Sequence, residues 1–144
     1  MVDITVATRP PAIPHITRLS RKVYAKAMTT DALTVPAKQL TMLSYLRDQG
    51  ALPQQVLCGT MKMSQNTVVA WLNELEDAGL IARVRDADDR RKHNVEITPE
   101  GLVALERGER ELFHLEETVL SGLTADEHAT LRRLLAKALA TSGD

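Results

Sequence analysis

The sequence is poor in cysteine and in aromatic residues, and it has no long uninterrupted apolar run. Its single cysteine, Cys58, excludes an intramolecular disulfide framework and a zinc site built from several cysteines. Aromatic residues make up 3% of the chain, whereas hydrophobic residues make up 44%, which favours helices packed through aliphatic stripes. No apolar run approaches the roughly 20 residues that span a bilayer, so we expect no membrane span.

Length and charge narrow the class of protein further. The chain has 144 residues, the size of one domain, and 26% of them are charged, which is compatible with a folded core. The first residues contain no basic segment followed by an apolar block, so we expect no secretory signal and a cytoplasmic location. A formal net charge of −1 argues mildly against a nucleic-acid-binding protein, although binding depends on where the charges lie.

Apolar residues recur at helical spacing in the first part of the chain. Residues 1–12 lack such a pattern, and we interpret them as a tail. A helix is predicted from Pro14, and a second helix follows Thr34, whose hydroxyl is placed to cap it. The second helix ends at Gly50, and a short helix is predicted over residues 53–60.

The next helix has an apolar face and a polar face. Ser64 is placed to accept a backbone N–H as its N-cap, and Gly79 ends it. At 100° per residue, the apolar stripe consists of Val68, Trp71, Leu72 and Leu75, and the opposite face carries Asn66, Ala70, Asn73 and Asp77. We therefore assign Trp71 to the core and regard the polar face as a candidate binding surface.

The period then changes from 3.6 to 2 on either side of a charged stretch. Alternation over residues 80–85 and 94–98 predicts two strands of a β-hairpin around the loop 86–92. Two further helices begin after Thr98 and at the capping box of residues 124–127. The predicted fold is therefore mainly α with a small β-hairpin, and this order of elements is typical of a winged helix-turn-helix.

Several stretches of the chain match one known family. They are DADDRR (86–91) and VEITPEG (95–101) at the family's wing and next helix, MSQNTV (63–68) and LNELEDAGLI (72–81) at its recognition helix, and LTVP (33–36) at the start of its second helix. The chain thus resembles the MarR (multiple antibiotic resistance regulator) family of bacterial transcription factors over roughly residues 13–139.

The resemblance implies a homodimer that binds double-stranded DNA at a palindromic operator. It divides the chain into an N-terminal tail (1–12), an N-terminal dimerisation helix (13–33), a winged helix-turn-helix lobe that binds DNA (34–99) and C-terminal dimerisation helices (100–144). The outer helices also carry more apolar surface than one small domain can cover, which favours an isologous dimer. For many members the family implies a small-molecule pocket, so we predict a repressor that responds to a small aromatic or phenolic ligand, whose contacts we do not assign.

The recognition helix offers two kinds of DNA contact. Its N-terminus at Ser64 presents free backbone N–H groups that can seat a phosphate, and Gln65 in the first turn suits either a phosphate or a base. Asn66 and Asn73 face outward, and asparagine can bond to adenine N6 and N7 together. The candidates for contact with a thymine methyl group are Thr67, Val69 and Ala70. We therefore predict an operator rich in A·T at the positions that this helix contacts.

The hairpin loop carries the second set of candidates. Arg90 and Arg91 are predicted to enter a narrow minor groove, where the negative potential is deep. Asp88 is predicted to pair with Arg90 and so to hold the shape of the loop, because carboxylate–guanidinium pairs are geometrically strict. Arg85 and Lys92 are predicted to meet phosphates.

The sequence also supports a second interpretation. Many family members place a basic residue at position 70, where this chain has Ala70, and acidic residues follow at Glu74, Glu76 and Asp77. These features and the near-neutral charge favour a winged-helix module that binds protein, with weak or no DNA binding. Binding to DNA that depends steeply on salt would distinguish the two interpretations.

Catalytic and metal chemistry find little support in the sequence. It lacks a nucleophile motif, a phosphate loop and a paired-carboxylate site, and its four histidines have no metal-like spacing, so we predict neither an enzyme nor a cofactor. Cys58 has no basic neighbour in sequence, although Lys62 lies four residues on. We therefore interpret Cys58 as a small buried hydrophobe and not as an oxidant sensor.

Overall fold

The computed structural model describes residues 10–143, which form a mainly helical fold with one small antiparallel sheet. The helices among them are α1 (Ala12–Thr29), α2 (Ala37–Gln49), α3 (Gln54–Met61), α4 (Gln65–Asp77), α5 (Pro99–Val119) and α6 (Ala125–Thr141), and the strands are β1 (Leu52–Pro53), β2 (Ile81–Arg85) and β3 (His93–Ile97). The predicted fold class is confirmed. The predicted tail lies mostly outside the described residues, and α1 begins two residues before the predicted Pro14.

The described residues form two compact units. One unit is Ala27–Leu112, and it contains the sheet and helices α2 to α4. The other combines residues 10–26 with 113–143. Helix α5 belongs to both units, because its residues 99–112 fall in Ala27–Leu112 and its residues 113–119 fall in the second unit.

The core of the Ala27–Leu112 unit is aliphatic. Its buried side chains come from the segment before α2, from α2 to α5 and from the sheet, namely Val35, Leu40, Met42, Leu43, Leu46, Leu57, Val68, Leu72, Leu75, Ile81, Val95 and Leu105. Trp71 and Cys58 are half-buried and pack against this core. The i, i+4, i+7 spacing of Val68, Leu72 and Leu75 therefore turns one face of α4 inward and leaves its polar face at the surface.

The sheet has the order β1–β3–β2. The β2–β3 hairpin pairs Ile81 with Ile97 and Arg85 with His93, which agrees with the predicted alternation. Strand β1 pairs Leu52 with Val95 and was not predicted, because a strand of two residues is too short to show an alternating pattern.

The predicted cap at Thr34 is wrong. Helix α2 begins at Ala37 behind Pro36, and no side chain caps it. The backbone N–H and the hydroxyl of Thr34 instead donate to the Glu111 carboxylate of α5, each at 3.0 Å. The Thr34 side chain is thus bound to a carboxylate 77 residues away in sequence and does not accept an N–H from the start of α2.

The first turn of α5 is fixed tightly against the end of α4 and the start of β2. The Thr98 hydroxyl donates to the Gly79 carbonyl at 2.7 Å and accepts the Gly101 N–H at 3.0 Å. A Cβ added at Gly101 would lie 2.1 Å from the Leu80 backbone oxygen. Glycine is therefore required at this position by the close approach of two backbones.

Thr98→Val should lower the free energy of unfolding by about 1–2 kcal/mol, since valine keeps the shape of threonine but loses both hydrogen bonds of the hydroxyl. Urea denaturation followed by circular dichroism measures the change. The matched control is Thr130→Val at an exposed position in α6, which should stay within about 0.5 kcal/mol of the parent. Equal losses in the two variants would contradict the capping role.

The second unit contains one buried titratable residue and an exposed row of leucines. The predicted capping box is confirmed, because Thr124 and Glu127 exchange hydrogen bonds at the start of α6 and thereby lower the pKa of Glu127. His128 is buried, stacks on Phe113 at a ring distance of 5.3 Å and contacts Glu116. Further along α6, Leu134, Leu135 and Leu139 are exposed, and Leu139 is 79% exposed.

Among the described helices, none combines the length and the hydropathy that crossing a membrane requires.

Candidate nucleic-acid interface

The start of α4 is set by a turn and a serine cap. Lys62, with φ of +52°, adopts the left-handed conformation that ends α3. Ser64 then caps α4, as predicted, by accepting the Thr67 N–H at 3.2 Å. The hydroxyls of Ser64 and Thr67 lie 2.7 Å apart and are hydrogen-bonded to each other. The other backbone N–H groups of the first turn of α4 have no partner within the helix and lie at the surface.

The predicted polar face of α4 lies at the surface of the lobe. Gln65, Asn66, Ala70 and Asn73 are exposed, whereas Thr67 and Val69 are half-buried. The exposed face therefore offers amide groups at three positions and a methyl group at Ala70.

One residue of this face is already hydrogen-bonded within the lobe. The Asn73 Oδ1 accepts from the Arg83 Nη1 at 2.7 Å, and the same nitrogen lies 3.6 Å from Glu76 Oε1. Arg83 was not predicted as a site residue, and it lies two residues after the buried Ile81 and opposite the buried Val95. That alternation is the signal that could have placed its side chain over the lobe.

The acidic residues of α4 make contacts inside the same lobe. Glu74 accepts from the buried Gln39 of α2 at 2.6 Å, and Glu76 lies beside Arg83. Two of the three carboxylates that follow the exposed face are thus engaged by neighbouring elements. Asp77 is exposed at the end of the helix.

The loop between β2 and β3 is ordered by its aspartates, which accept hydrogen bonds from its backbone. Asp86 Oδ1 accepts the Asp88 N–H at 2.8 Å, and Asp89 Oδ1 accepts the Arg91 N–H at 3.0 Å. The hydrogen bond from the Asp88 N–H is the main cause that lowers the pKa of Asp86. These are local side-chain turns of the kind that aspartate favours.

The predicted ion pair between Asp88 and Arg90 is not formed within the part of the chain that the structure describes. The shape of the loop is held instead by Asp86 and Asp89, whose carboxylates accept backbone N–H groups two residues along the chain, so an ion pair of Asp88 is not needed to order it. The loop is closed further by a hydrogen bond from the Asp86 N–H to the Lys92 carbonyl at 3.0 Å. The basic side chains of the loop therefore remain available to a partner.

Two of the exposed basic residues of the hairpin, Arg91 and Lys92, adjoin the start of α4. Arg85 and Arg90 are exposed as well. A crevice of about 130 Å³ separates the hairpin from the helix starts, and it is lined by Pro53, Gln54, Gln55, Gln65, Arg91, Lys92 and His93. This crevice brings side chains of the β2–β3 hairpin and of α4 to one surface. Among residues 10–143, no group of three or more His, Cys, Asp or Glu side chains is placed to hold a metal ion.

Comparisons with known proteins agree with this geometry. A sequence model of the MarR family matches residues 35–93. The HTH-type transcriptional regulator PecS of Dickeya dadantii is 30% identical over 126 residues, which are 85% of this chain and 72% of PecS. The crystal structure of MarR from E. coli in its apo form is 23% identical, covers 91% of this chain and 98% of its own, and superimposes with a TM-score of 0.71.

A third similar protein is described as having its DNA binding regulated by a small molecule. The structure of BpsR from Bordetella bronchiseptica, whose DNA binding is regulated by 6-hydroxynicotinic acid, is 27% identical. It covers 85% of this chain and 97% of its own, with a TM-score of 0.61.

Proposed function

The chain belongs to the MarR family and is a DNA-binding transcriptional regulator, and from this premise we propose how it reads its operator. The recognition helix α4 enters the major groove, and the β2–β3 wing enters the adjacent minor groove. The observation that carries this proposal is the crevice at which Gln65 of α4 meets Arg91 and Lys92 of the wing. One surface thereby contacts both grooves.

The individual contacts follow from exposure and chemistry. Ser64 and Gln65 at the start of α4 hold a phosphate, and Asn66 bonds to adenine. The thymine methyl groups are contacted by Ala70 and by the exposed parts of Thr67 and Val69. In the wing, Arg90 and Arg91 enter the minor groove, while Arg85 and Lys92 neutralise phosphates and Asp88 belongs to the ordered loop. Asn73 completes the set from the exposed face of α4.

We further propose that the protein acts as a homodimer through its outer segments, residues 13–33 and 100–144. Ile13 of α1 is 67% exposed and Leu139 of α6 is 79% exposed, so each chain presents an apolar surface that a second copy would cover. Two lobes related by a twofold axis bind a palindrome whose half-sites lie about 10 bp apart.

The proposed effector is a small aromatic or phenolic acid. The similarity to BpsR, whose DNA binding is regulated by 6-hydroxynicotinic acid, supports this class of molecule. A ligand alters DNA binding only if it binds one arrangement of the two lobes better than the other. Such a ligand releases the operator when it favours a spacing of the two α4 helices that differs from one helical turn, and the regulator is then a repressor.

Selection of operators from random duplexes with the purified protein tests the proposal. We expect a palindrome with A·T-rich positions under α4, and a log–log salt dependence whose slope is about −0.9 for each phosphate neutralised. Addition of 6-hydroxynicotinic acid and related phenolic acids to the same assay tests the effector class. A chain that binds no duplex above its non-specific level at any salt concentration would refute the proposal.

The hydrogen bonds that order the wing loop lead to a prediction opposite to the one expected from net charge alone. Asp86→Ala should weaken operator binding although it removes a negative charge near DNA, because the Asp88 N–H loses its acceptor and the loop loosens. The matched variant Asp86→Asn keeps an Oδ1 acceptor and should bind at least as tightly as the parent. Fluorescence anisotropy with a labelled operator measures both variants. Equal tightening in the two variants would show that the carboxylate acts only through its charge.

A further inference from the structure

Arg83 is an arginine of the DNA-binding lobe that is largely buried and only partly hydrogen-bonded. Its side chain is 19% exposed, and it lies on β2 between the recognition helix and β3. The Nη1 atom contacts Asn73 and Glu76, whereas Nε and Nη2 are buried without a hydrogen-bond partner among the residues described. Since buried polar groups are nearly always satisfied, an arginine held through one nitrogen calls for a functional explanation.

The contact with Arg83 fixes the orientation of the Asn73 amide. A guanidinium group has only donors, so the atom of Asn73 that faces it at 2.7 Å must be the carbonyl oxygen. The Nδ2 group, with its two N–H donors, is therefore the end of the amide that does not contact Arg83. Asn73 is exposed and, within residues 10–143, its Nδ2 makes no recorded hydrogen bond. The side chain therefore presents its N–H donors to a partner of α4, while its acceptor is turned towards Arg83.

We propose that Arg83 is a positioning residue that determines which base edge Asn73 reads. The inference rests on the proposed insertion of α4 into the major groove. Unrestrained asparagine recognises adenine by donating to N7 and accepting from N6–H. With Oδ1 turned towards β2 and engaged by Arg83, Asn73 reads bases through its N–H donors, and its targets are the major-groove acceptors N7 and O6 of guanine, N7 of adenine and O4 of thymine. Asn73 thus discriminates against cytosine, whose major-groove edge offers only a donor, without preferring adenine to guanine.

Glu76 strengthens this restraint. Its Oε1 lies 3.6 Å from Arg83 Nη1, so the guanidinium is attracted to two positions one helical turn apart on α4. Because Glu76 also attracts the guanidinium of Arg83, the guanidinium stays in place and keeps the Asn73 amide in one orientation. The alternative is that Arg83 leaves α4 and binds a phosphate when DNA arrives, and the following experiment distinguishes the two.

The experiment compares single-base-substituted operators in the parent, Arg83→Met, Asn73→Ala and the double variant. The parent should bind adenine and guanine about equally at one symmetric pair of positions. Arg83→Met frees the amide, so this variant should prefer adenine at that pair by about fivefold or more, the discrimination of one bidentate contact. In the Asn73→Ala background, Arg83→Met should change no base preference, because the effect passes through Asn73. Arg83→Lys, which keeps a donor, should restore the parental profile.

Three results would overturn the inference. An unchanged profile in Arg83→Met would do so while leaving DNA binding by the parent intact. Uniform weakening on all operators, with the salt slope reduced by about 1 per subunit, would assign Arg83 to a phosphate instead. If the parent selects no operator, the proposed function itself fails.

A second variant keeps the test valid if Arg83→Met does not fold. Asn73→Asp retains the acceptor for Arg83 and adds an opposite charge, so it should fold with parental stability. It lacks the N–H donors, and it should therefore lose the discrimination against cytosine at the same pair of positions. Retention of that discrimination in Asn73→Asp would contradict the proposal.

Discussion

Replacing Gly101 with alanine should lower the free energy of unfolding by about 3 kcal/mol, the upper end of the usual cost of one excess group in a packed site. The added Cβ would stand 2.1 Å from the Leu80 backbone oxygen and 2.7 Å from a side-chain carbon of Ile97. The oxygen cannot simply move away, because it accepts the Thr98 N–H at 3.1 Å. Relief of the clash must therefore shift α5 from the sheet or break that hydrogen bond.

Two other glycines serve as controls for Gly101. At Gly59 in α3, an added Cβ meets nothing within 4 Å, so Gly59→Ala should raise stability by about 0.5–1 kcal/mol. At Gly108, the Cβ would lie 2.4 Å from a terminal methyl of Leu40, which can rotate, so the loss should be smaller than at Gly101. Urea denaturation of the three variants checks this order. Equal stabilities of Gly101→Ala and Gly59→Ala would refute the close backbone approach.

The features that were predicted correctly from sequence are those fixed by neighbours along the chain. Ser64 and Thr124 cap helices through N–H groups three residues away, and such contacts leave a local signature. The stripe that buries Val68, Leu72 and Leu75 is likewise a matter of spacing along one helix. Local chemistry and periodicity therefore determine the element order and the exposed face of α4.

The missed features depend on which distant residues meet in space. Thr34 donates to Glu111, and Asn73 accepts from Arg83, because tertiary packing brings these partners together. No local pattern marks either pair. In the wing the error had another origin, since the loop aspartates were matched with the arginines by charge, although backbone N–H groups were the nearer partners.

The acidic residues of α4 no longer favour a protein-binding module. That interpretation treated Glu74 and Glu76 as a solvated acidic surface beside the recognition face. Glu74 instead accepts from the buried Gln39, and Glu76 lies beside Arg83. Contacts inside the lobe partly offset the charges of Glu74 and Glu76. The electrostatic potential at this surface therefore depends more on the exposed basic residues of the hairpin.

Truncation of the wing tip should have the largest effect on operator binding. Arg90→Ala removes one guanidinium from each of two wings, so the free-energy loss for a dimer is twice that of one arginine. If each arginine contributes as much as a specific base contact, affinity should fall by about 30-fold to 10⁴-fold. The loss should be greatest for operators whose flanks have a narrow minor groove, because the potential there is deepest.

Two comparisons separate groove reading from charge. Arg133→Ala on α6 changes the net charge by the same amount at an exposed position outside residues 34–99, and a variant shown by sedimentation to keep the parental dimer should bind with nearly unchanged affinity. Lys92 is proposed to meet a phosphate, and on that proposal Lys92→Ala should weaken all operators alike and reduce the salt slope by about 1 per subunit. Titrations of the three variants at several salt concentrations provide both quantities. If Arg90→Ala matched Lys92→Ala in slope and in indifference to the flanks, Arg90 would contact the phosphate backbone, and the wing would position the protein without reading the groove.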